Sequence, residues 1–312
     1  MCCLFGMIDY GNSLTGKQKS RLLSVLATEC EARGTDATGI AYNSGGKLRI
    51  YKRPLPGHKM RFRIPDETAV IMGHTRLTTQ GDAKKNRNNH PFSSNALNRP
   101  FAVAHNGVLY NDTFLRKSLK LPATDIETDS YIAVQLIERQ KALNFNSLKT
   151  MAEAVEGSFC FTVLDGDDSL YFVKGDNPMC IYHYPRLGLY LYASTEEILR
   201  KAVQYSPYAL GKETQVRLHC GDILQIGADG QQTKSSFNAD DLFYGAYFRG
   251  SHIPQCGYSW KPEERTEEED EYIQHLKTAA ACCGYDEEAV DMWLMEGFTT
   301  DEIEEYLYCG EV

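Results

Sequence analysis

Short strand-like segments run through most of the chain, and they limit the fold more than any other feature. Each is rich in β-branched and aromatic residues and is bounded by Gly, Asp or Asn. In chain order they read CLFGMI, GIAYNS, KLRIYKR, AVIMGHTR, FAVAHNG, SFCFTVLD, SLYFVKG, LYLYAS and DILQIG. Because they follow one another mainly as hairpins and meanders, they argue against a parallel sheet with strict strand and helix alternation.

Helical periodicity appears between these strands at four places. In the first of them the apolar residues recur at the spacing of one helical face. The four segments are 17–32, 126–140, 147–156 and 195–204. Strands and helices together predict a layered α+β protein.

The C-terminal part differs from the rest in charge. Residues 261–312 hold 17 of the 42 acidic residues and three of the 33 Lys and Arg, a net charge of −14 against +5 for the remainder. We therefore expect a body over 2–237, a connecting segment over 238–266 that is rich in Gly, Pro and aromatic residues, and a small acidic helical extension over 267–312. The acidic part argues against a nucleic-acid partner.

Several classes of protein do not fit the sequence. No apolar run approaches the roughly 20 residues of a membrane span, and the N-terminus lacks the pattern of a signal peptide, so we expect a cytoplasmic protein without a membrane partner. Ten scattered cysteines without zinc-site spacing favour free thiols. His74, His90 and His105 are far apart in sequence without an accompanying ligand pattern, so we expect no metal and no cofactor.

The chain begins MCC, which raises a chemical possibility. Removal of Met1 would leave a thiol and a free α-amine on Cys2, and a thiol with a pKa of roughly 8.5 needs such a base to attack a carbonyl at neutral pH. The alternative is that Cys2 and Cys3 are ordinary apolar residues at the start of a strand.

Four further polar stretches add to this N-terminus, namely RGTDATGIA at 33–41, GHTRLTTQGD at 73–82 with NNHPF at 88–92, HNGVLYN at 105–111 and ETDSY at 127–131. In order and spacing they resemble the glutaminase domain of class II glutamine amidotransferases, which are N-terminal-nucleophile (Ntn) hydrolases. GSFCFTVLDG, GDNPM and ASTEEIL resemble the last strands and closing helix of that domain. The resemblance implies a four-layer αββα Ntn sandwich.

The resemblance also implies catalytic roles. Cys2 corresponds to the nucleophile that attacks the side-chain amide of glutamine, releases ammonia and forms a γ-glutamyl thioester. Asn106 and the backbone N–H of Gly107 correspond to the oxyanion donors. Arg33 corresponds to an arginine near the nucleophile, with Asp36 expected to orient it.

The substrate-binding roles follow in the same way. Arg76 corresponds to the arginine that binds the substrate carboxylate, Asp129 to the acceptor of the α-ammonium, and Thr79 to a hydroxyl that helps bind the substrate backbone. Two alternatives stay open on the residues alone: Asn106-Gly107 is typical of a hairpin turn, and Asp129 of a helix cap.

Three residues depart from the family pattern. Cys3 stands where glycine is usual, Leu77 where many members have tryptophan, and Gln80 where histidine is common. Cys3 would affect the turn that follows the nucleophile. Leu77 and Gln80 would affect how glutamine is bound.

The functional expectation is an amidohydrolase acting on a small molecule. The resemblance favours a stand-alone glutaminase that releases ammonia to water or passes it to a separate synthase subunit, because residues after 240 show no motif of a synthase domain. The alternatives are hydrolysis of a γ-glutamyl peptide or amine, and a non-enzymatic glutamine sensor. A homo-oligomer is compatible with each.

Overall fold

The computed structural model describes residues 2–94, 99–240, 242, 267–282, 285, 288–295, 300, 303 and 307. The chain divides into two compact units, Met1–Ser251 and His252–Val312. Most of the predicted connecting segment 238–266 lies outside the described residues, so its boundaries stay a prediction. Within the part of the chain described here, no helix has the length and apolar character needed to cross a membrane.

The first unit contains two sheets, and every strand pairing in them is antiparallel. The strands are β1 (Cys3–Asp9), β2 (Ala37–Ser44), β3 (Lys47–Arg53), β4 (Val70–Arg76), β5 (Phe92–Ser94), β6 (Phe101–Leu109), β7 (Gly157–Leu164), β8 (Leu170–Lys174), β9 (Cys180–Tyr184), β10 (Leu189–Ala193), β11 (Thr214–Val216), β12 (Asp222–Ile226) and β13 (Gln232–Ser236). One sheet has the order β11-β9-β10-β1-β4-β2-β3 and the other β13-β12-β8-β7-β6-β5.

Helices cover the outer faces of the sheets and form the second unit. They are α1 (Gly16–Glu29), α2 (Asp112–Ser118), α3 (Tyr131–Arg139), α4 (Phe145–Ala154), α5 (Glu196–Gln204), α6 (Glu267–Cys282) and α7 (Glu288–Met295). Three 3₁₀ turns occupy Cys30–Ala32, Gly57–Lys59 and Asn86–Asn88. A capping box of Thr15 and Gln18 fixes the start of α1, since each side chain bonds the backbone N–H of the other.

The alternation of side chains along the strands builds the layers. In β1, Phe5 and Met7 pack in the core that contains α1 and α5, whereas Leu4 and Ile8 lie in the core between the two sheets. In the second sheet Ala102 and Ala104 of β6 also lie between the sheets, and the alternate residues pack against α3 and α4. The result is a helix–sheet–sheet–helix sandwich, and the predicted four-layer α+β class is confirmed.

The second unit has an apolar core of its own. Its buried members are Ile273, Leu276, Ala280, Val290, Ile303 and Leu307. An ion pair between Lys277 and Asp291 joins α6 to α7. The predicted helical character of the acidic extension is therefore present in α6 and α7, while most of 296–312 lies outside the described ranges.

Candidate active site

The predicted nucleophile and the predicted carboxylate-binding arginine meet where two central strands of the first sheet, β1 and β4, have their adjacent ends. Strand β1 begins where its neighbour β4 ends, and the register pairs Cys3 with Thr75. The next pairing joins Ala37 of β2 to Arg76. The adjacent ends of these three strands therefore place Cys2, Arg76 and Asp36 side by side.

Cys2 is partly buried, and its surroundings hold both its thiol and its backbone. The Sγ atom donates to the carbonyl oxygen of Leu77 at 3.5 Å, and the Cys2 carbonyl accepts from Nε of Arg33 at 2.9 Å. Burial raises the pKa of the Cys2 thiol, and the nearby charge of Arg76 opposes that rise. The thiol is therefore mostly protonated at neutral pH and needs a base before it can attack.

Arg76 is a buried cation held by neutral oxygen atoms. Its Nη1 donates to Oδ1 of Asn89 at 2.7 Å, and its Nη2 donates to the backbone oxygens of Gln80 and Gly81. Among the described residues it forms no ion pair with Asp or Glu. Burial lowers the pKa of Arg76 and the charge of Asp129 raises it. A guanidinium that is held by neutral acceptors is not neutralised by them and can form an ion pair with an anionic ligand.

Asp129 is also buried, and its carboxylate reaches across to the second sheet. Oδ2 accepts from the backbone N–H of Leu109 at 2.7 Å, and Oδ1 accepts from the hydroxyl of Ser130 at 3.2 Å. The N-cap of α3 is Ser130, so the helix-cap alternative for Asp129 is wrong. The negative charge of Asp129 acts to raise the pKa of both Cys2 and Arg76.

Asn106 and Gly107 lie inside β6, paired with Cys160 and Phe159 of β7. The hairpin-turn alternative is therefore wrong. Gly107 has φ +142°, and a Cβ there would lie 1.9 Å from the carbonyl oxygen of Ser158, so only glycine fits. Asn106 is fully buried, and its Oδ1 has no hydrogen-bond partner among the described residues.

Ser194 links the strand of the predicted nucleophile to the predicted oxyanion donor. Its Oγ accepts from the backbone N–H of Leu4 at 2.8 Å and lies 3.5 Å from Nδ2 of Asn106. In the sequence, Ser194 is notable only as part of ASTEEIL, which resembles the closing helix of the family domain. The available signal was a small polar residue between an apolar strand and a helix.

Thr79 and Asp36 are both associated with the loop that follows Arg76. Thr79 is exposed and makes no hydrogen bond among those described. Asp36 accepts from the backbone N–H of Thr78 at 2.7 Å, so it fixes the loop that follows Arg76. The roles of all eight predicted site residues, Asp36 included, stay predictions.

The three histidines form a buried group behind the site. The rings of His74 and His90 are 4.1 Å apart, and Nε2 of His74 bonds the backbone oxygen of His105 at 2.9 Å. Burial lowers the pKa of His74 to about 3 and also lowers the pKa of His90 and His105, so all three are neutral at pH 7. In the described part of the chain, no cluster of His, Cys, Asp and Glu side chains is arranged to hold a metal ion.

Comparison with known proteins finds relatives whose names describe glutamine-using enzymes. A family model described as a glutamine amidotransferase domain matches residues 74–201. Glutamine–fructose-6-phosphate aminotransferase (isomerizing) from Listeria innocua is 31% identical over 189 residues, which cover 58% of this chain and 30% of the relative. The Helicobacter pylori enzyme of the same name is 29% identical over 192 residues, with the same coverage. The match thus spans about 30% of the length of these curated relatives.

Solved structures support the fold. The glutamine phosphoribosylpyrophosphate amidotransferase from B. subtilis, complexed with ADP and GMP, aligns with a TM-score of 0.59 at 20% identity and covers 76% of this chain and 49% of that one. A structure described as the allosteric regulatory enzyme of purine biosynthesis aligns with a TM-score of 0.60 at the same identity and coverage.

Proposed function

Because this chain carries a class II glutamine amidotransferase domain, we propose that it hydrolyses the side-chain amide of glutamine with the Cys2 thiol as nucleophile. One observation carries the proposal. The strand ends bring Arg76, a buried cation without an ion-pair partner among the described residues, next to Cys2. The buried carboxylate of Asp129 is bonded to Leu109, at the end of the strand that carries the proposed oxyanion donors. A free amino acid carries the two complementary charges, a carboxylate and an ammonium.

The substrate would bind by these charges. Arg76 would receive the α-carboxylate, and Asp129 would accept from the α-ammonium. Desolvating either charge of the substrate without a partner costs several kcal/mol, so a site of this kind selects a zwitterionic head group. Thr79, on the exposed loop three residues after Arg76, would add a hydroxyl.

The reaction would follow in two steps. After removal of Met1 the free α-amine of Cys2 takes the thiol proton, and the sulfur attacks the side-chain amide carbon. The backbone N–H of Gly107 and the side-chain N–H of Asn106 stabilise the oxyanion. The C–N bond breaks, the amine returns its proton to the leaving ammonia, and water then hydrolyses the γ-glutamyl thioester to glutamate.

Arg33 would have a supporting part. Its Nε holds the Cys2 carbonyl at 2.9 Å and so fixes the backbone on which the nucleophile is carried. Its charge would also favour the thiolate during attack. No metal or cofactor is needed for any of these steps.

The fate of the ammonia is a second part of the proposal. The curated relatives are much longer than the matched region, and their names describe transfer of an amino group to a sugar phosphate. We propose either release of ammonia to water or delivery to a separate synthase subunit. Arg76 and Asp129 would bind only the glutamyl head, so a γ-glutamyl peptide or amine stays the alternative substrate.

An ammonia-release assay on the Met1-processed protein tests the proposal. Glutamine should release ammonia, asparagine should not, and a γ-glutamyl peptide panel should release little amine. Cys2→Ser should be inactive while unfolding at the same denaturant concentration as the wild type. Amine release from the peptides without ammonia release from glutamine would favour the alternative substrate, and Cys2→Ser with full activity would refute the mechanism.

A further inference from the structure

We propose that Asn89 is a positioning residue for the carboxylate subsite, acting through the guanidinium of Arg76. The inference rests on the proposed function, since it assigns the residue that keeps the glutamine-binding arginine in place and electrically available. Asn89 belongs to NNHPF, a motif for which the catalytic steps have no use.

The hydrogen bonds of Asn89 determine which way its side-chain amide faces. Its Nδ2 donates to the backbone oxygen of Ala83 at 2.7 Å, and its Oδ1 accepts from Nη1 of Arg76 at 2.7 Å. The side chain is fully buried. A reversed amide would point an N–H at the guanidinium and an oxygen at a carbonyl, so only the observed orientation satisfies both ends.

A neutral acceptor at this position has a specific consequence. Asn89 fixes the plane of the guanidinium together with the carbonyl oxygens of Gln80 and Gly81, and none of these acceptors carries a negative charge. An aspartate in the same place would form an internal ion pair with Arg76 and compete with the substrate carboxylate. The amide therefore orients the cation without neutralising it.

The backbone of Asn89 holds a second cation. Nζ of Lys52 donates to the carbonyl oxygen of Asn89 and, at 3.0 Å, to that of Pro91. Lys52 is thus anchored to the backbone of Asn89 and Arg76 to its side chain. Both charges add to the positive potential that an incoming carboxylate meets.

The neighbouring Asn88 provides a matched control. It is equally buried, and its side chain is fully bonded: Nδ2 donates to the backbone oxygen of Asp82 and to Glu127, and Oδ1 accepts from the backbone N–H of Glu127. None of these bonds involves Arg76. A substitution at Asn88 should disturb the same loop without altering the guanidinium directly.

The test compares Asn89→Asp, Asn89→Ala and Asn88→Ala in the full chain. The measurements are kcat and KM for glutamine, KM for 4-aminobutanamide, which lacks the α-carboxylate, and glutamate affinity by isothermal titration calorimetry. For Asn89→Asp we expect glutamine KM to rise about tenfold or more and glutamate affinity to fall by a similar factor, with kcat changed by less than about threefold. Asn89→Ala should have a smaller effect of the same kind, and 4-aminobutanamide should be insensitive to either change.

Three results would overturn the proposal. They are an unchanged glutamine KM and glutamate affinity in a folded Asn89→Asp protein, an equal effect from Asn88→Ala, and an equal loss with 4-aminobutanamide. If Asn89→Asp does not fold, Asn89→Ala introduces no charge and decides the question by the same measurements. Absence of turnover in the wild type would refute the glutaminase proposal alone, because glutamate binding still reports on the subsite.

Discussion

Replacing Ser194 by alanine tests how the two sheets build one site. In the structure its fully buried hydroxyl accepts from the backbone N–H of Leu4 and lies next to the side-chain amide of Asn106. The variant leaves the Leu4 N–H without its acceptor inside the protein. An unsatisfied buried donor costs about 1–3 kcal/mol, so we expect the free energy of unfolding to fall by that amount.

The effect on catalysis should be smaller than loss of an oxyanion donor. Removing such a donor costs about 2.7–4 kcal/mol, but the contact between Ser194 and Asn106 is 3.5 Å long and orients the amide only indirectly. We expect Ser194→Ala to lose about 1 kcal/mol of transition-state stabilisation, which corresponds to a fall of roughly fivefold in kcat. KM for glutamine should change little, because the substrate charges bind elsewhere.

Ser147→Ala is the control for this experiment. Ser147 is also a buried serine whose hydroxyl accepts a backbone N–H, that of Asn144 at 2.9 Å, but it caps α4 in the outer helical layer. Urea unfolding and steady-state ammonia release should show a stability loss in both variants and a kcat loss in Ser194→Ala alone. Equal kcat in wild type and Ser194→Ala, or equal kcat losses in both variants, would refute the reasoning.

Three further predictions follow from the same geometry. Arg76→Ala should raise KM for glutamine and lower kcat/KM, whereas Asn106→Ala should lower kcat by roughly 10²–10³ with a smaller KM effect; the opposite kinetic pattern would mean that the roles are reversed. Acid should destabilise the fold through His74, because burial lowers its pKa in the folded state to about 3, below the ordinary value of roughly 6.5. The stability that neutral His74 contributes is fully present above pH 6.5 and is lost as pH falls towards 3. The complete loss would lower the free energy of unfolding by about 4–5 kcal/mol. Urea midpoints measured from pH 7 to pH 4 should show a weaker decline in His74→Phe, and identical declines would contradict this assignment. A chain ending at residue 259 should keep glutaminase turnover, because every proposed site residue precedes residue 240; loss of turnover in a folded truncated protein would show that the extension completes the site.

Much of the fold could be predicted because the local composition of most strands, rich in β-branched and aromatic residues, indicates a strand. The nine strand segments and the four helical segments all correspond to elements of the structure. Strand β9, CIYHY, was missed although its composition is typical of a strand. Other missed elements carry weak signals. Strand β13, QTKSS, is a polar edge strand without apolar alternation, and α2 is a seven-residue helix in which Leu115 is the buried apolar residue.

The geometry of the site was harder to predict because its contacts join distant parts of the chain. Ser194 and Asn106 are 88 positions apart, and no local pattern connects them. Asn106-Gly107 has the composition of a hairpin turn, but pairing with β7 extends the strand through it, so tertiary contacts override local preference. Tertiary contacts also decide the role of Asp129, because its carboxylate accepts from the backbone N–H of Leu109 and not from an N–H of the helix that follows it.

Trapping the covalent intermediate tests the central claim most directly. The purified protein is mixed with glutamine, quenched in acid within one turnover and examined by intact-protein and peptide mass spectrometry. We predict a chain without Met1 that carries one added γ-glutamyl group, glutamine less ammonia, located on the Cys2 thiol. Ammonia release from a chain that retains Met1, or with the γ-glutamyl group on another residue, would contradict the account.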